Sequence, residues 1–182
     1  MKPIEGYDLI SEAGELKKLP AGPQACKIIE VINVPDKEYL DVYFDIVEGE
    51  FKGYFGTLQA NTGKNYGRIT RSYKANALPF FKAFITAIEK SNPGYKWTDS
   101  WDEKTLSNKY CAINFRDEEY IVDGEVKVMA KADEVRSLQA LRNGEIKIKP
   151  MKKLEDLPVG AKTVPESKNL EAIEISDEDL PF

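Results

Sequence analysis

The chain has 182 residues, 42% of them hydrophobic, which suits one domain of ordinary size with a real core and an additional tail. Histidine is absent, which excludes histidine-based catalysis and histidine zinc ligands. No apolar run approaches the length of a membrane span, and the first residues lack the apolar run of a secretion signal. We therefore expect a cytoplasmic protein without membrane contacts, although its net charge of −5 argues at first against nucleic acid as a partner.

The first third of the chain has the alternating pattern of a β-meander. Residues 1–20 read as an irregular lead-in with weak helical potential over 10–19. Strands are predicted at 24–33, rich in β-branched residues, and at 39–47, with a third at 51–57. Alternation in the second strand places four apolar side chains on one face, namely Leu40, Val42, Phe44 and Ile46.

A helix and two further strands follow a predicted loop over residues 58–75. The helix at 78–90 has Pro79 in its first turn and an apolar face, and a loop with two tryptophans comes after it. Strands are predicted at 110–115 and 125–135 around a turn region at 117–124. A short helix at 137–142 and at best a short strand at 145–149 complete the pattern.

This order predicts a mainly β fold, an oligonucleotide-binding (OB)-like five-stranded Greek-key barrel with a helix between strands 3 and 4. An SH3-like barrel or another α+β arrangement fits the same order. Lysine, glutamate and proline dominate from Met151 onward, and no periodicity survives there. We therefore expect a folded domain over 1–150 and a flexible linker with a disordered acidic C-terminal tail over 151–182.

The two cysteines, Cys26 and Cys111, lie in apolar, strand-like segments. We expect both to be buried free thiols, because a metal site needs more ligands. The sequence predicts neither a metal nor a cofactor.

The stretch from residue 51 to 88 contains no acidic residue and six basic ones, in a chain that is acidic elsewhere. Cations interleaved with aromatic rings are what single-stranded nucleic acid needs, because phosphates pair with cations and unpaired bases stack on rings. The candidates are Lys52, Tyr54, Lys64, Tyr66, Arg68, Arg71, Tyr73 and Lys74. Tyr43 also fits the open face of a sheet, whereas Phe44 and Phe55 suit the core better.

A second candidate is the polar loop that carries Trp97 and Trp101. Both rings suit stacking on bases, and both equally suit covering one end of a barrel. The sequence leaves these two roles open.

The last residues, Asp177, Glu178, Asp179, Leu180, Pro181 and Phe182, form an acidic run that ends in Leu-Pro-Phe. This ending resembles the acidic C-terminal tip of bacterial single-stranded DNA-binding proteins, with leucine where isoleucine is usual and Glu178 within the aspartate run. Residues 151–182 carry −4 of the net −5, so the body is nearly neutral. The likeness covers these six residues and does not extend into the body, which indicates a divergent member encoded by a bacteriophage or mobile element.

The resemblance implies a protein that coats single-stranded DNA in replication and recombination and recruits partner enzymes through its tip. Phe182 would fill a pocket on the partner, Pro181 would fix the approach, and the acidic residues would meet a basic rim. The protein would not be an enzyme. Members of the family often form tetramers, but so different a body leaves homo-oligomer formation open.

Two other functions fit the composition. One is a metal-dependent nuclease that uses carboxylates of the first strands, namely Asp41, Asp45, Glu48 and Glu50. No nuclease motif surrounds them, so solvated strand charges explain them better. The other is an adaptor that binds only protein, with the basic stretch facing an acidic partner.

Overall fold

The computed structural model describes residues 17–156, and its main feature is a five-stranded antiparallel sheet that curls into a nearly closed barrel. The strands are β1 (Gly22–Val34), β2 (Tyr39–Ile46), β3 (Arg68–Ser72), β4 (Tyr110–Val122) and β5 (Glu125–Arg136). The helices are α1 (Tyr54–Thr62), α2 (Leu78–Ser91) and α3 (Leu138–Arg142). The prediction of a mainly β fold with a helix between strands 3 and 4 is confirmed, since α2 occupies that place.

The strand order in the sheet is β3-β2-β1-β4-β5, and each neighbouring pair is antiparallel. The two outer strands, β3 and β5, approach each other where the sheet curls round. Arg71 of β3 spans this seam, because its guanidinium donates to the carbonyl oxygen of Asp133 in β5 at 3.2 Å. A second bond of the same guanidinium, 3.1 Å to the carbonyl oxygen of Thr70, fixes its direction.

The core fills the barrel, and a helix closes each end. The inward side chains of β2 are those that the alternation predicted, and all four are buried. Because β2 and β3 are antiparallel, α1 after β2 and α2 after β3 lie at opposite ends. Phe55 of α1 stacks on Phe115 with ring centroids 5.9 Å apart, while α2 buries Phe84 and Ile88 at the other end.

The predicted third strand at 51–57 is wrong, because this segment forms a turn and the beginning of α1. The local sequence, rich in aromatic residues, suggests a strand, but a distant carboxylate fixes the helix. Asp45 accepts hydrogen bonds from the backbone N–H groups of Phe55 and Gly56, each at 3.0 Å. These bonds satisfy donors that a helix N-terminus leaves free.

The real third strand, β3, comes from the segment predicted as a loop at 58–75. Its sequence is Arg-Ile-Thr-Arg-Ser, so its one buried apolar side chain, Ile69, gives no visible alternation. The chain enters β3 through Gly67, where an added Cβ would lie 2.3 Å from the carbonyl oxygen of Phe44. Only glycine fits this close approach between backbones.

The β4–β5 hairpin is longer than the sequence indicates. Most of the predicted turn region at 117–124 is strand, and the turn itself is formed by Asp123 and Gly124, which have φ angles of 53° and 77°. Two positive φ angles suit the tight turns that join twisted strands. The hairpin thus extends beyond the part of β4 that pairs with β1, which ends at Phe115.

The segment after α3 runs along the outer edge of β4. The predicted short helix at 137–142 is confirmed, with Ser137 as its cap, but 145–149 is not a strand. Lys152 instead bonds to the backbone of β4 in the parallel sense, with its N–H 2.9 Å from the carbonyl oxygen of Asp117. The chain from 147 to 154 therefore covers this edge.

Cys26 and Cys111 are buried free thiols, as predicted, and they are paired residues of β1 and β4. Burial raises the pKa of the Cys111 thiol to about 12. Among residues 17–156, none of the helices is both long and apolar enough to cross a membrane. The weak helix at 10–19 and the acidic tail fall wholly or mostly outside the described residues.

Candidate nucleic-acid interface

The outer surface of β1, β2 and β3 carries aromatic, apolar and cationic side chains side by side. We call it the open face and define it by Ile29, Ile32, Tyr39, Tyr43 and Arg68. Ile29 and Ile32 are 53% and 43% exposed, which is unusual for large apolar side chains on a strand. Tyr43 pairs in register with Arg68 across the β2–β3 ladder, so a ring and a guanidinium are neighbours on this face.

A buried carboxylate beneath the open face holds Arg68. Asp41 is only 8% exposed, and its Oδ1 accepts a hydrogen bond from the hydroxyl of Thr70 at 2.7 Å. Its Oδ2 lies 3.5 Å from the Arg68 guanidinium. The pairing satisfies the buried charge and keeps the partly exposed guanidinium on the face, where its remaining N–H groups suit a phosphate.

The chain that enters β3 adds further candidates to one side of the open face. Tyr66 is 41% exposed and Lys64 is exposed, whereas Lys52, also exposed, belongs to the turn before α1. Tyr66 is two residues before Arg68, and Gly67 between them carries the backbone over Phe44. The predicted residues Lys64, Tyr66 and Arg68 are thus brought together at the β3 end of the face.

An aromatic row begins at the other end of β3. The ring centroids of Tyr73 and Phe81 are 5.9 Å apart, those of Phe81 and Trp97 5.6 Å, and those of Trp97 and Trp101 4.9 Å. Trp97 packs half-buried against the core, whereas Trp101 is 68% exposed. The structure therefore separates the two tryptophans: Trp97 covers one end of the barrel, and Trp101 has a ring available for stacking.

Tyr73 is half-buried between the core and the surface, next to half-buried Lys74. Its ring packs on Phe81, and its hydroxyl donates to the Asn33 side chain at 2.9 Å. Partial burial raises the pKa of Tyr73. Tyr73 therefore links the aromatic row to the C-terminal end of strand β1.

Two predicted DNA-contacting residues, Tyr54 and Arg71, are half-buried and form contacts within the protein. Tyr54 packs edge-on against Phe51 and Phe55, with ring centroids 5.9 and 5.2 Å away. Arg71 crosses the seam, and burial lowers its pKa to about 10 against the opposing effect of Asp133. These contacts give both side chains a structural role, and their contact with DNA stays a prediction.

The carboxylates considered for a nuclease are dispersed rather than convergent. Asp41 forms an ion pair with Arg68, and Asp45 caps the N-terminus of α1. Glu48 pairs with Arg142, which lowers the pKa of Glu48, and Glu50 pairs with Lys17. Within residues 17–156, no cluster of three or more histidine, cysteine, aspartate or glutamate side chains is placed to hold a metal ion.

Sequence reasoning missed Tyr39, Ile29 and Ile32 as members of the open face. The signal for Tyr39 was present, because the alternation that buries one side of β2 turns Tyr39 and Tyr43 outward. Ile29 has no such signal, since a register irregularity between Ile28 and Glu30 turns it out of the core.

No protein-family model matches this chain, and a search of curated proteins finds no significant match. The acidic tip at 177–182 lies outside the described residues.

Proposed function

We propose that this protein binds single-stranded DNA without sequence preference, and that its barrel is an OB fold with the open face as the binding surface. The single observation that carries the proposal is the side-by-side placement of half-buried tyrosine rings, exposed isoleucines and Arg68 on a sheet surface that no other element of residues 17–156 covers. In OB folds, strands of the sheet provide the surface for oligonucleotides.

The chemistry of the open face suits unpaired bases. A base stacked on Tyr43 or Tyr66 places its phosphate within reach of a neighbouring cation, Arg68 or Lys64. Each stacked base contributes about 1–3 kcal/mol, and every base offers a flat face. Stacking with phosphate contacts therefore gives affinity without a sequence code, which is what coating a strand in replication or recombination requires.

The acidic tip supports the second half of the proposal, the recruitment of partner proteins. Its Leu-Pro-Phe ending after acidic residues combines an apolar ring, a rigid proline and negative charge. Such a peptide fits a small apolar pocket with a basic rim on another protein. Deletion of residues 171–182 should abolish partner binding and leave DNA affinity at low salt equal or higher.

A titration with fluorescent oligo-dT at several salt concentrations tests the DNA proposal. Tyr43→Ala should weaken binding about tenfold, the loss of one stacked base. Arg68→Ala should lower the slope of log K against log[salt] by about 0.7, the value for one phosphate contact in single strands. Arg142→Ala is the matched control, because it removes one exposed cation from α3, away from the open face.

Equal effects of Arg68→Ala and Arg142→Ala would show that only overall charge matters and would refute the open face as the site. Absence of stoichiometric binding to oligo-dT would refute the function and favour a protein-only adaptor. Magnesium-dependent cleavage of the oligonucleotide would favour the nuclease.

A further inference from the structure

A cleft of about 450 Å³ opens between the C-terminal end of α2 and the first residue of β4. Its walls include two aromatic rings, Tyr95 and Tyr110, and one lysine, Lys109, and none of the residues from 17 to 156 that line it is a carboxylate. A lining of rings and one cation suits a flat ligand that carries negative charge.

Hydrogen bonds hold the walls of the cleft in place. The Asn92 side chain forms two hydrogen bonds with the backbone of Tyr110, as a neighbouring strand would. Its amide donates to the carbonyl oxygen of Tyr110 at 2.8 Å, and its oxygen accepts from the Tyr110 N–H at 3.0 Å. The hydroxyls of Tyr95 and Thr105 are 2.8 Å apart. The Tyr95 ring and the backbone of Tyr110 are therefore held before any ligand arrives, which lowers the ordering cost of binding.

A lysine ammonium lies over each ring. The Nζ of Lys109 is 4.5 Å from the Tyr95 ring centroid, and the Nζ of Lys27 is 5.9 Å from that of Tyr110. Within the described part of the chain, neither lysine forms an ion pair, so their positive charges are not neutralised by a carboxylate there. Tyr110 is 41% exposed and presents its ring to the solvent.

We propose that this cleft binds one nucleotide of the single strand that crosses the open face, with the base against Tyr110 and the phosphate between Lys27 and Lys109. The inference rests on the proposed function and adds a contact beyond β1. A base is flat and its phosphate anionic, which matches the two kinds of group that the cleft offers.

The sheet makes the cleft continuous with the open face. Lys27 of β1 pairs in register with Tyr110 of β4, and exposed Ile29 is two residues further along β1. From β3, which carries Arg68, to β4 the sheet spans three strand spacings, about 14 Å. A strand that lies across β3, β2 and β1 thus reaches the cleft by continuing in the same direction.

The test combines oligonucleotides of two lengths with variants of the cleft. The long form is the oligo-dT length beyond which affinity stops rising. The short form is a shorter oligo-dT whose binding is still weakened by Tyr43→Ala. Tyr110→Leu keeps an apolar side chain but removes the aromatic face; it should weaken binding of the long form about tenfold and leave the short form unchanged. Lys109→Gln should lower the salt slope for the long form by about 0.7, while Arg142→Gln should not.

Photocrosslinking locates the DNA directly, so its result does not depend on whether Tyr110 also stabilises the fold. The wild-type protein, bound to long oligo-dT with bromodeoxyuridine at one end, should crosslink within the peptide that contains Tyr110.

Crosslinks confined to the open face, or equal effects of the cleft variants on both lengths, would overturn the cleft proposal while leaving the open face intact. Binding of a peptide of residues 171–182 in the cleft, abolished by Lys109→Gln, would overturn it in favour of an acidic peptide. Failure of the wild type to bind either length would overturn both proposals.

Discussion

Arg68 and Arg71 are three residues apart on the same short strand, and the barrel uses them in opposite ways. Arg68 points outward, pairs with Asp41 and keeps part of its guanidinium in solvent. Arg71 points inward and bonds to two backbone carbonyl groups at the seam. Since side chains of a strand alternate between faces, an odd spacing separates two cations that a charge count treats as equal.

The aromatic residues of the basic stretch also divide into inward and outward side chains. The largest expected loss of stability is that of the inward Phe55. Phe55→Ala should lower the free energy of unfolding by about 3–5 kcal/mol, because the ring packs against Phe44 and Phe115 in the core. Tyr66→Ala should change it by less than about 0.5 kcal/mol, because that ring is largely on the surface. Urea unfolding of both variants measures the difference. A similar cost for both would mean that Tyr66 belongs to the core.

The two arginines should separate stability from binding. Arg71→Ala should lower the free energy of unfolding by about 2–3 kcal/mol, because it removes one charge-assisted hydrogen bond across the seam and a second one to Thr70. Arg68→Ala should cost about 1–2 kcal/mol, because largely buried Asp41 loses its cation but keeps the hydrogen bond from Thr70, and it should also weaken binding to oligo-dT. Thermal unfolding and the DNA titration, run on both proteins, test the contrast. It fails if Arg68→Ala proves the more destabilising change.

The tryptophan pair offers a weaker form of the same comparison. Trp97→Ala should cost about 2 kcal/mol, because its ring is packed half-buried against Phe81, whereas Trp101→Ala should cost less than about 0.5 kcal/mol. If DNA reaches this loop, the variant Trp101→Phe should lose the DNA-induced quenching of emission that the variant Trp97→Phe retains. Unchanged quenching in both variants would remove this loop from the interface.

The smallest effect concerns pH and the exposed pair of Glu48 and Arg142. Arg142 lowers the folded-state pKa of Glu48, so the pair's contribution is present above the unfolded-state value and is lost as pH falls through the folded-state pKa. Glu48→Gln should therefore lower the unfolding temperature slightly at neutral pH and not at all once Glu48 is protonated. A difference that grows in acid would show that Glu48 is not stabilised by this contact.

Elements with a regular local pattern could be predicted from the sequence. Elements that depend on contacts between distant residues could not. Alternation in β2 and the apolar face of α2 are local patterns. Both identify inward side chains, except that Leu78, on the predicted face of α2, is 50% exposed. The start of α1 depends on Asp45, ten residues away from Phe55, and no local pattern contains that bond. β3 has one buried apolar residue, so its register depends on its pairing with β2 rather than on its own sequence.

The candidate site divides in the same way. Charge and aromatic content are enough to propose the segment around Lys64, Tyr66 and Arg68 as a candidate, because these properties belong to composition. Which of these rings is exposed depends on how helices and loops pack on the barrel, so Tyr54 and Trp97 cannot be distinguished from Tyr66 and Trp101 without the fold. The cleft at Tyr110 had no signal, because its residues come from α2, the loop after it, β1 and β4.

The segment from 147 to 154 has a practical consequence for any shortened form of the protein. Lys152 bonds to the backbone groups of Asp117 and Glu119, in the part of β4 that β1 does not reach, and the Lys147 carbonyl oxygen accepts a hydrogen bond from the Asn114 side chain. A protein cut after Gly144 would present an unpaired strand edge, and such edges recruit other chains into mixed sheets. Shortened versions intended to report on DNA binding alone should end beyond residue 156, because an earlier end would introduce self-association that imitates cooperative binding.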